Sequence, residues 1–299
     1  MQWLMASMIS LAMALGGLAA RMEGDAKSAE LIAQARAALG GEKNLNAVQG
    51  LTCAGSYART LGDRQLSGDL TIELQLPDKM LRTETSNPIG DMTIVLEQGV
   101  NGEKLLRNQR TINGPPGAVI RMAPPPAGAD AEAQAVRNAR ADMTRLVVAL
   151  LLAPPPSMPL EYTYGGEAQA DEGAADIVDA KGPGSFAIRI FLDRKSHRPL
   201  MLQYSGVAPQ MRIQTQTMQG PPDPERMRRA EQAAHDAAAA QPPPQLVDIT
   251  FFVDDYKTVS GIQLPHHFSR SIDGKPTEEM TCKTIKVNPA FKPDTFAAR

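Results

Sequence analysis

The sequence predicts a mainly β protein with a few helices, organised as one domain around a large antiparallel sheet of about eleven strands. Three observations carry this. A period-2 pattern with one mostly apolar face marks the strands: Leu70, Ile72, Leu74 and Leu76 alternate with Asp69, Thr71, Glu73 and Gln75, and Val247, Ile249, Phe251 and Val253 with Asp248, Thr250, Phe252 and Asp254. Turn dipeptides separate such runs, namely Asn101-Gly102, Ser260-Gly261 and Asp273-Gly274. The chain has 299 residues, 42% of them hydrophobic, which suffices for one large sheet domain.

Residues 1–20, MQWLMASMISLAMALGGLAA, are apolar and uncharged, and small residues end the run. They read as a secretory signal, residues 21–299 being the exported domain, although no Lys or Arg precedes the apolar run. The alternative is an inner-membrane anchor through residues 2–20, since about 20 apolar residues span a bilayer. Asp25–Leu39 follows as an amphipathic helix, with Leu31, Ile32, Ala35, Ala38 and Leu39 on one face and Gly40-Gly41 as its stop. A short helical turn is expected at Glu42–Val48.

Strands are expected at Leu51–Thr60, Leu66–Leu76, Lys79–Thr85 and Met92–Gln98. Residues 108–128, with Pro115-Pro116 and Pro124-Pro125-Pro126, should form an irregular, mobile loop. Asp130–Leu152 is the longest helix. Its stripe of Val136, Ala139, Met143, Leu146, Val147, Leu150 and Leu151 widens toward Pro154-Pro155-Pro156. Strands resume at Leu160–Glu167, Ala174–Ala180, Phe186–Asp193 and Pro199–Ser205. A second Pro-rich insertion, 207–245, holds a solvated helix near Pro224–Ala240 and precedes three closing strands. A three-residue loop Asp273-Gly274-Lys275 would set Phe268 opposite Met280, His266 opposite Cys282 and Arg270 opposite Glu278. Cys53 and Cys282 are read as small buried apolar residues, a disulfide remaining open because its Cα separation is not legible in sequence.

Signatures of catalysis are missing from the chain. No GxSxG, GxGxxG, P-loop, HExxH or CxxC motif occurs. The pair His266-His267 cannot share a metal, because neighbours on a strand point to opposite faces. His266 suits a satisfied position in the sheet and His267 a surface one. The net charge of -2 argues against a nucleic-acid binder. No enzyme activity, cofactor or metal is expected. Adaptable apolar surface is the remaining functional candidate, supported by the VVALLLA end of the long helix and by 15 methionines.

The ARAALGG helix end, LQLPDKMLRTET, FLDRKSHRPLML, DYKTVSGIQLPHHF and the closing VNPAFKPDTF together resemble the outer-membrane lipoprotein-sorting (LolA-like) group, in its broad uncharacterised bacterial branch. The resemblance spans most of 25–299 outside the insertions at 108–128 and 207–245. It implies a strongly curved, unclosed half-barrel covered by helices, with acyl chains of a lipid or lipoprotein held between them in the periplasm. By that resemblance Leu70, Ile72, Leu74, Phe251, Leu264, Phe268 and Met280 would line the concave face, and Leu146 and Leu150 would belong to the lid. Arg59 is the nearest counterpart of the family's lid-latching arginine, without its surrounding motif. A long acyl chain offers on the order of 10 kcal/mol of burial, reduced by association and ordering costs. A monomer is expected, with an envelope protein bound by the same sheet as the competing partner.

Overall fold

The structure, a computed structural model, describes residues 25–297 except 62–63, 90, 114–117, 122–128, 171–172 and 208–213; between 218 and 245 it describes only Glu225, Arg228, Arg229 and Gln232. The expected export segment, the helix near 224–240 and most of the 207–245 insertion therefore lie outside the described residues.

Helix α1 (25–38) and the short α2 (Glu42–Asn46) lead into five strands: β1 (Gly50–Leu61), β2 (Arg64–Gln75), β3 (Lys79–Ile89), β4 (Met92–Asn101) and β5 (Lys104–Ile112). A short β6 (Ala118–Arg121) precedes the long helix α3 (Ala129–Leu151). Then come β7 (Glu161–Ala170), β8 (Gly173–Lys181), β9 (Ala187–Asp193), β10 (Pro199–Val207) and the short β11 (Gln214–Thr217). The chain closes with β12 (Leu246–Val259), β13 (Ile262–Ile272) and β14 (Lys275–Val287).

Twelve strands form one antiparallel sheet in the order β5-β4-β3-β2-β1-β14-β13-β12-β10-β9-β8-β7. The chain starts in the middle of this sheet, winds outward to β5, crosses with α3 to the far edge at β7, and returns until β14 pairs with β1. The edges β5 and β7 do not pair, so the sheet is unclosed.

Its curl follows from α3. Arg140 reaches Glu103 in the β4–β5 turn, while Arg145 stacks on Tyr204 of β10, 4.0 Å from the ring centre. These two arginines are separated by roughly 7.5 Å of helix axis. A flat sheet would hold β4 and β10 about 33 Å apart. Two arginine side chains cannot span that difference unless the sheet wraps around the helix.

Packing explains why it wraps. The inward faces of both half-sheets supply Leu70, Leu74, Val100, Val178, Ile190, Leu202, Leu264 and Phe268 to one core. Leu31 and Ala35 of α1, Leu39 just beyond it, and Met143, Val147, Val148 and Leu151 of α3 complete it. Each fully buried side chain of this size contributes roughly 1.5–3 kcal/mol. On the opposite face, the C-terminal segment packs Phe296 and Phe291 against Leu81 and Leu106. Asn288 ties that segment down: its Oδ1 accepts from the backbone N–H of Gln49 at 2.7 Å, and its Nδ2 donates to the carbonyl of Ala47.

Three expectations need correction. Residues 108–128 are not irregular throughout. β5 continues to Ile112, where it pairs with Thr93, and β6 pairs with β11 from Ala118–Thr217 to Arg121–Gln214. The two insertions thus satisfy each other's backbone groups, a pairing that their proline and glycine content conceals. The β13–β14 loop is also shorter than expected. Ile272 pairs with Lys275 around a two-residue Asp273-Gly274 turn, both residues having positive φ. An extra residue, Thr277, bulges from β14, and its hydroxyl donates to the carbonyl of Arg270 at 3.1 Å. That bulge restores the expected pairs Arg270–Glu278 and Phe268–Met280. Finally, Cys53 and Cys282 form a disulfide, with Cα atoms 5.4 Å apart. β1 and β14 are neighbours, with Cys53 opposite Ile285 and Cys282 opposite Gly55 across a register shift at Ala54/Gly55.

Candidate functional site

Between the concave sheet and α3 lies an apolar cavity lined by Leu51, Cys53, Ile72, Leu74, Leu146, Leu150, Leu264, Phe268, Met280, Cys282 and Ile285. Its wall is therefore built from β1, β2, β13 and β14, with the disulfide set into it, and α3 forms the cover. About 400 Å³ in and around it is free of atoms, open solvent included. In this conformation the centre admits about one water-sized sphere. The side chains nearly meet across it.

Seven of the nine sequence-derived candidates line this space: Ile72, Leu74, Leu146, Leu150, Leu264, Phe268 and Met280. Leu70 and Phe251 do not. They are buried in the same core, at 1% and 5% exposure, further along the concave face. Phe251 stacks on Phe268, ring centres 5.7 Å apart.

Three arginines hold the cover. Arg36 of α1 donates from Nη1 to the carbonyls of Leu151 and Leu152, at 2.8 and 3.3 Å, where α3 ends. Those carbonyls have no partner inside the helix, and a cation there also complements the helix dipole. Glu42 fixes the guanidinium from the other side at 2.5 and 2.6 Å. The hydrogen bond from Arg36 also holds the Glu42 carboxyl below the usual carboxylate range. Arg145 lies between Tyr204 and Phe186 and pairs with Asp142 at 2.7 Å. Arg140 pairs with Glu103.

Immediately beside the apolar wall the same face turns ionic. Two residues beyond Met280 on β14 is Glu278; two beyond Phe268 on β13 is Arg270. Arg82 stands opposite Ile72, and Glu84 opposite Leu70. Arg59 on β1 is paired with Glu278 in the register. Glu84 accepts from Arg59 at 2.7 and 3.2 Å and from Arg82 at 2.7 Å. Glu278 Oε1 accepts from Arg59 and from Arg82, the latter at 2.7 Å. Burial opposes ionisation of Glu278, yet the fields of Arg82, Arg270 and Arg59, with hydrogen bonds from Arg59, hold its pKa down at about 2. The fields of Glu278 and Glu84 likewise raise the pKa of Arg59 against the effect of burial.

Sequence reasoning missed Arg36, Arg145 and most of this cluster, of which it had only the pair Arg270–Glu278 and Arg59 by itself. The available signal was charge at inward positions, where Arg82 and Glu84 break the apolar face of β3. Arg59 sits in the ionic floor, and Arg36 caps α3.

His266 is buried and its Nδ1 donates to the carbonyl of Leu264 at 3.0 Å, whereas His267 faces outward to Asp254. Among the described residues no cluster of His, Cys, Asp and Glu is placed to hold a metal ion. Among them, too, no helix is long and apolar enough to cross a membrane.

No family model and no curated protein matches the chain. Among solved structures it is similar to a DUF1329 family protein from Desulfovibrio piger, at 9% identity and TM-score 0.45, covering 90% of this chain and 96% of the other. It is also similar to a putative outer membrane lipoprotein-sorting protein domain from Vibrio parahaemolyticus, at 8% identity and TM-score 0.43, covering 91% and 97%. A LolA superfamily protein from Nitrosomonas europaea matches at 8% identity and TM-score 0.42, covering 88% and 96%. No residue role is transferred at this identity.

Proposed function

We propose that the protein is a non-enzymatic carrier of acyl chains in the periplasm, holding a lipid or a lipoprotein's lipid between sheet and α3. The observation that supports this best is the continuous apolar lining of the cavity, met from above by Leu146 and Leu150 of a helix fixed mainly at its end and flank. Ligand pockets typically enclose roughly 300–1,000 Å³, whereas here the side chains nearly fill the space between sheet and α3, which as it stands has no room for a long acyl chain. Uptake therefore requires α3 to withdraw from the sheet, exposing the wall formed by Ile72, Leu74, Leu264, Phe268 and Met280. Burial of methylenes, about 0.8 kcal/mol each, drives the chain in without any catalyst.

Extraction of the purified mature chain for lipid mass spectrometry tests this. Co-purified acyl species in stoichiometric amount are expected, together with displacement of a fluorescent fatty-acid probe. Absence of both sinks the reading.

A second reading, an envelope interaction module, is favoured by one observation. Across the convex face, Ile177, Phe191, Met201 and Phe252 form a cross-strand apolar row, with Phe252 38% exposed. Phe252→Ser should then abolish capture of an envelope protein while leaving probe binding unchanged.

A further inference from the structure

The ionic floor beside the cavity is asymmetric in depth. The side chains of Glu84 and Glu278 are 5% and 2% exposed, whereas those of Arg59, Arg82 and Arg270 are 15%, 17% and 25% exposed. The carboxylates lie beneath and the guanidiniums face the space above. Among these described residues three guanidiniums meet two carboxylates, which leaves one formal positive charge. Asp142 and Arg145 of α3 add one charge of each sign and do not alter that balance.

Hydrogen bonding points the same way. Buried Nε of Arg270 has no acceptor. Its Nη1 lies 3.2 Å from Glu278 Oε2, yet the angle is poor and that oxygen also lacks a hydrogen-bond donor. Arg270 packs over the Phe251 ring, 5.9 Å from its centre. A guanidinium is a fork that matches the two oxygens of a carboxylate or phosphate, and Arg270 has one tine without an acceptor. The distance from this fork to the apolar wall is short: Arg270 and Phe268 share one face of β13, two residues apart.

We infer that this floor is a headgroup site: an amphiphile whose chain occupies the cavity sets a single oxyanion, carboxylate or phosphate, against Arg270 with Arg59 and Arg82 beside it. The inference rests on the acyl-chain reading of the cavity. It narrows the cargo to anionic amphiphiles and excludes neutral ones as preferred ligands. The same α3 movement that uncovers the wall takes away Asp142, whose field acts on Arg270, and leaves the fork to the incoming oxyanion.

The test is calorimetric titration of the intact mature chain with decanoate, decyl phosphate, decanol and inorganic phosphate, each below its aggregation limit. Decanoate or decyl phosphate should bind about tenfold or more tightly than decanol, the ratio expected for one hydrogen-bonded charge pair. The ratio should shrink as salt is raised, and decanol binding should not. Arg270→Gln should bring decanoate to the affinity of decanol; if that variant fails to fold, the ligand series and its salt dependence on the unaltered protein decide alone. Equal binding of decanoate, decyl phosphate and decanol overturns the headgroup site while leaving the acyl-chain reading intact. Binding of none of the amphiphiles overturns both. Displacement of decanoate by inorganic phosphate at similar concentration shows a site for free anions and overturns the amphiphile form.

Discussion

The concave face carries two neighbouring zones built on the same strands, and they are held by opposite physics. In the apolar zone Leu51, Ile72, Leu74, Phe268 and Met280 touch without direction, so volume matters and identity matters less. In the ionic zone Arg59, Arg82, Glu84, Arg270 and Glu278 are fixed by charge and angle. There a group removed leaves its partner buried and unpaired. The step between zones is two residues along β13 and β14. The lesson is that one pleated face can be soft and hard within a few ångströms: the first zone tolerates rearrangement of its side chains, while the second holds its groups at set distances and angles.

The largest expected effect tests whether the soft zone is held by packing alone. Cys53→Ala with Cys282→Ala opens a loop of 229 residues, and chain entropy assigns its closure about 5 kcal/mol. Urea unfolding with and without reductant should show that loss in the parent and no effect of reductant on the variant. Equal stability of parent and variant would mean that packing, and not the crosslink, holds the two halves.

Glu278→Gln attacks the hard zone and should cost about 3–5 kcal/mol, because three arginines lose their deeper partner. It also carries a pH signature. Folding lowers the pKa of Glu278 from 4.5 to about 2, so its contribution is complete above about pH 4.5 and is lost as pH falls toward 2. That contribution is on the order of 3 kcal/mol. The parent should lose stability through this acid window, and the variant's curve should be flatter there; parallel curves would blur the distinction between the zones.

Matched conservative exchanges sharpen it further. Phe268→Leu in the soft zone should cost about 1 kcal/mol, whereas Arg82→Lys in the hard zone should cost about 2, since an ammonium cannot serve Glu84 and Glu278 with one planar fork. Thermal denaturation of both variants reads the difference directly. At the small end, the half-exposed Arg189–Asp179 pair on the convex face should contribute below about 1 kcal/mol. Its double-mutant coupling should vanish in 1 M salt, unlike that of Arg82 with Glu278.

Much of the soft zone was legible in the sequence, and little of the hard one. Period-2 alternation located Ile72, Leu74, Phe268 and Met280 because burial of one strand face leaves a local imprint. The Arg270–Glu278 pair was legible too, through the hairpin that joins its strands, although a shorter turn and the Thr277 bulge delivered that register. Arg59, Arg82 and Glu84 were not, since β1 meets β14 only across most of the chain. For the same reason Cys53 and Cys282 did not announce their bond. Arg36 was invisible as a cap because its acceptors, the carbonyls of Leu151 and Leu152, lie more than a hundred residues away. Leu70 and Phe251 share the alternation of the cavity residues yet pack deeper along the groove, because alternation specifies a face and not a position along it.

The place where the sheet begins and ends has a consequence for how the chain assembles. β1 to β5 and β7 to β14 are each sequences of near neighbours, cheap to form and low in contact order. Their union waits for β14, the last strand to leave a ribosome or a translocation pore. Until it arrives, β1 stands as a bare edge with unsatisfied amides, liable to pair with other chains. Synthesis from the N-terminus therefore leaves half a finished sheet exposed while the remainder is being delivered, and β14 acts as a closing stitch whose timing governs aggregation as much as stability.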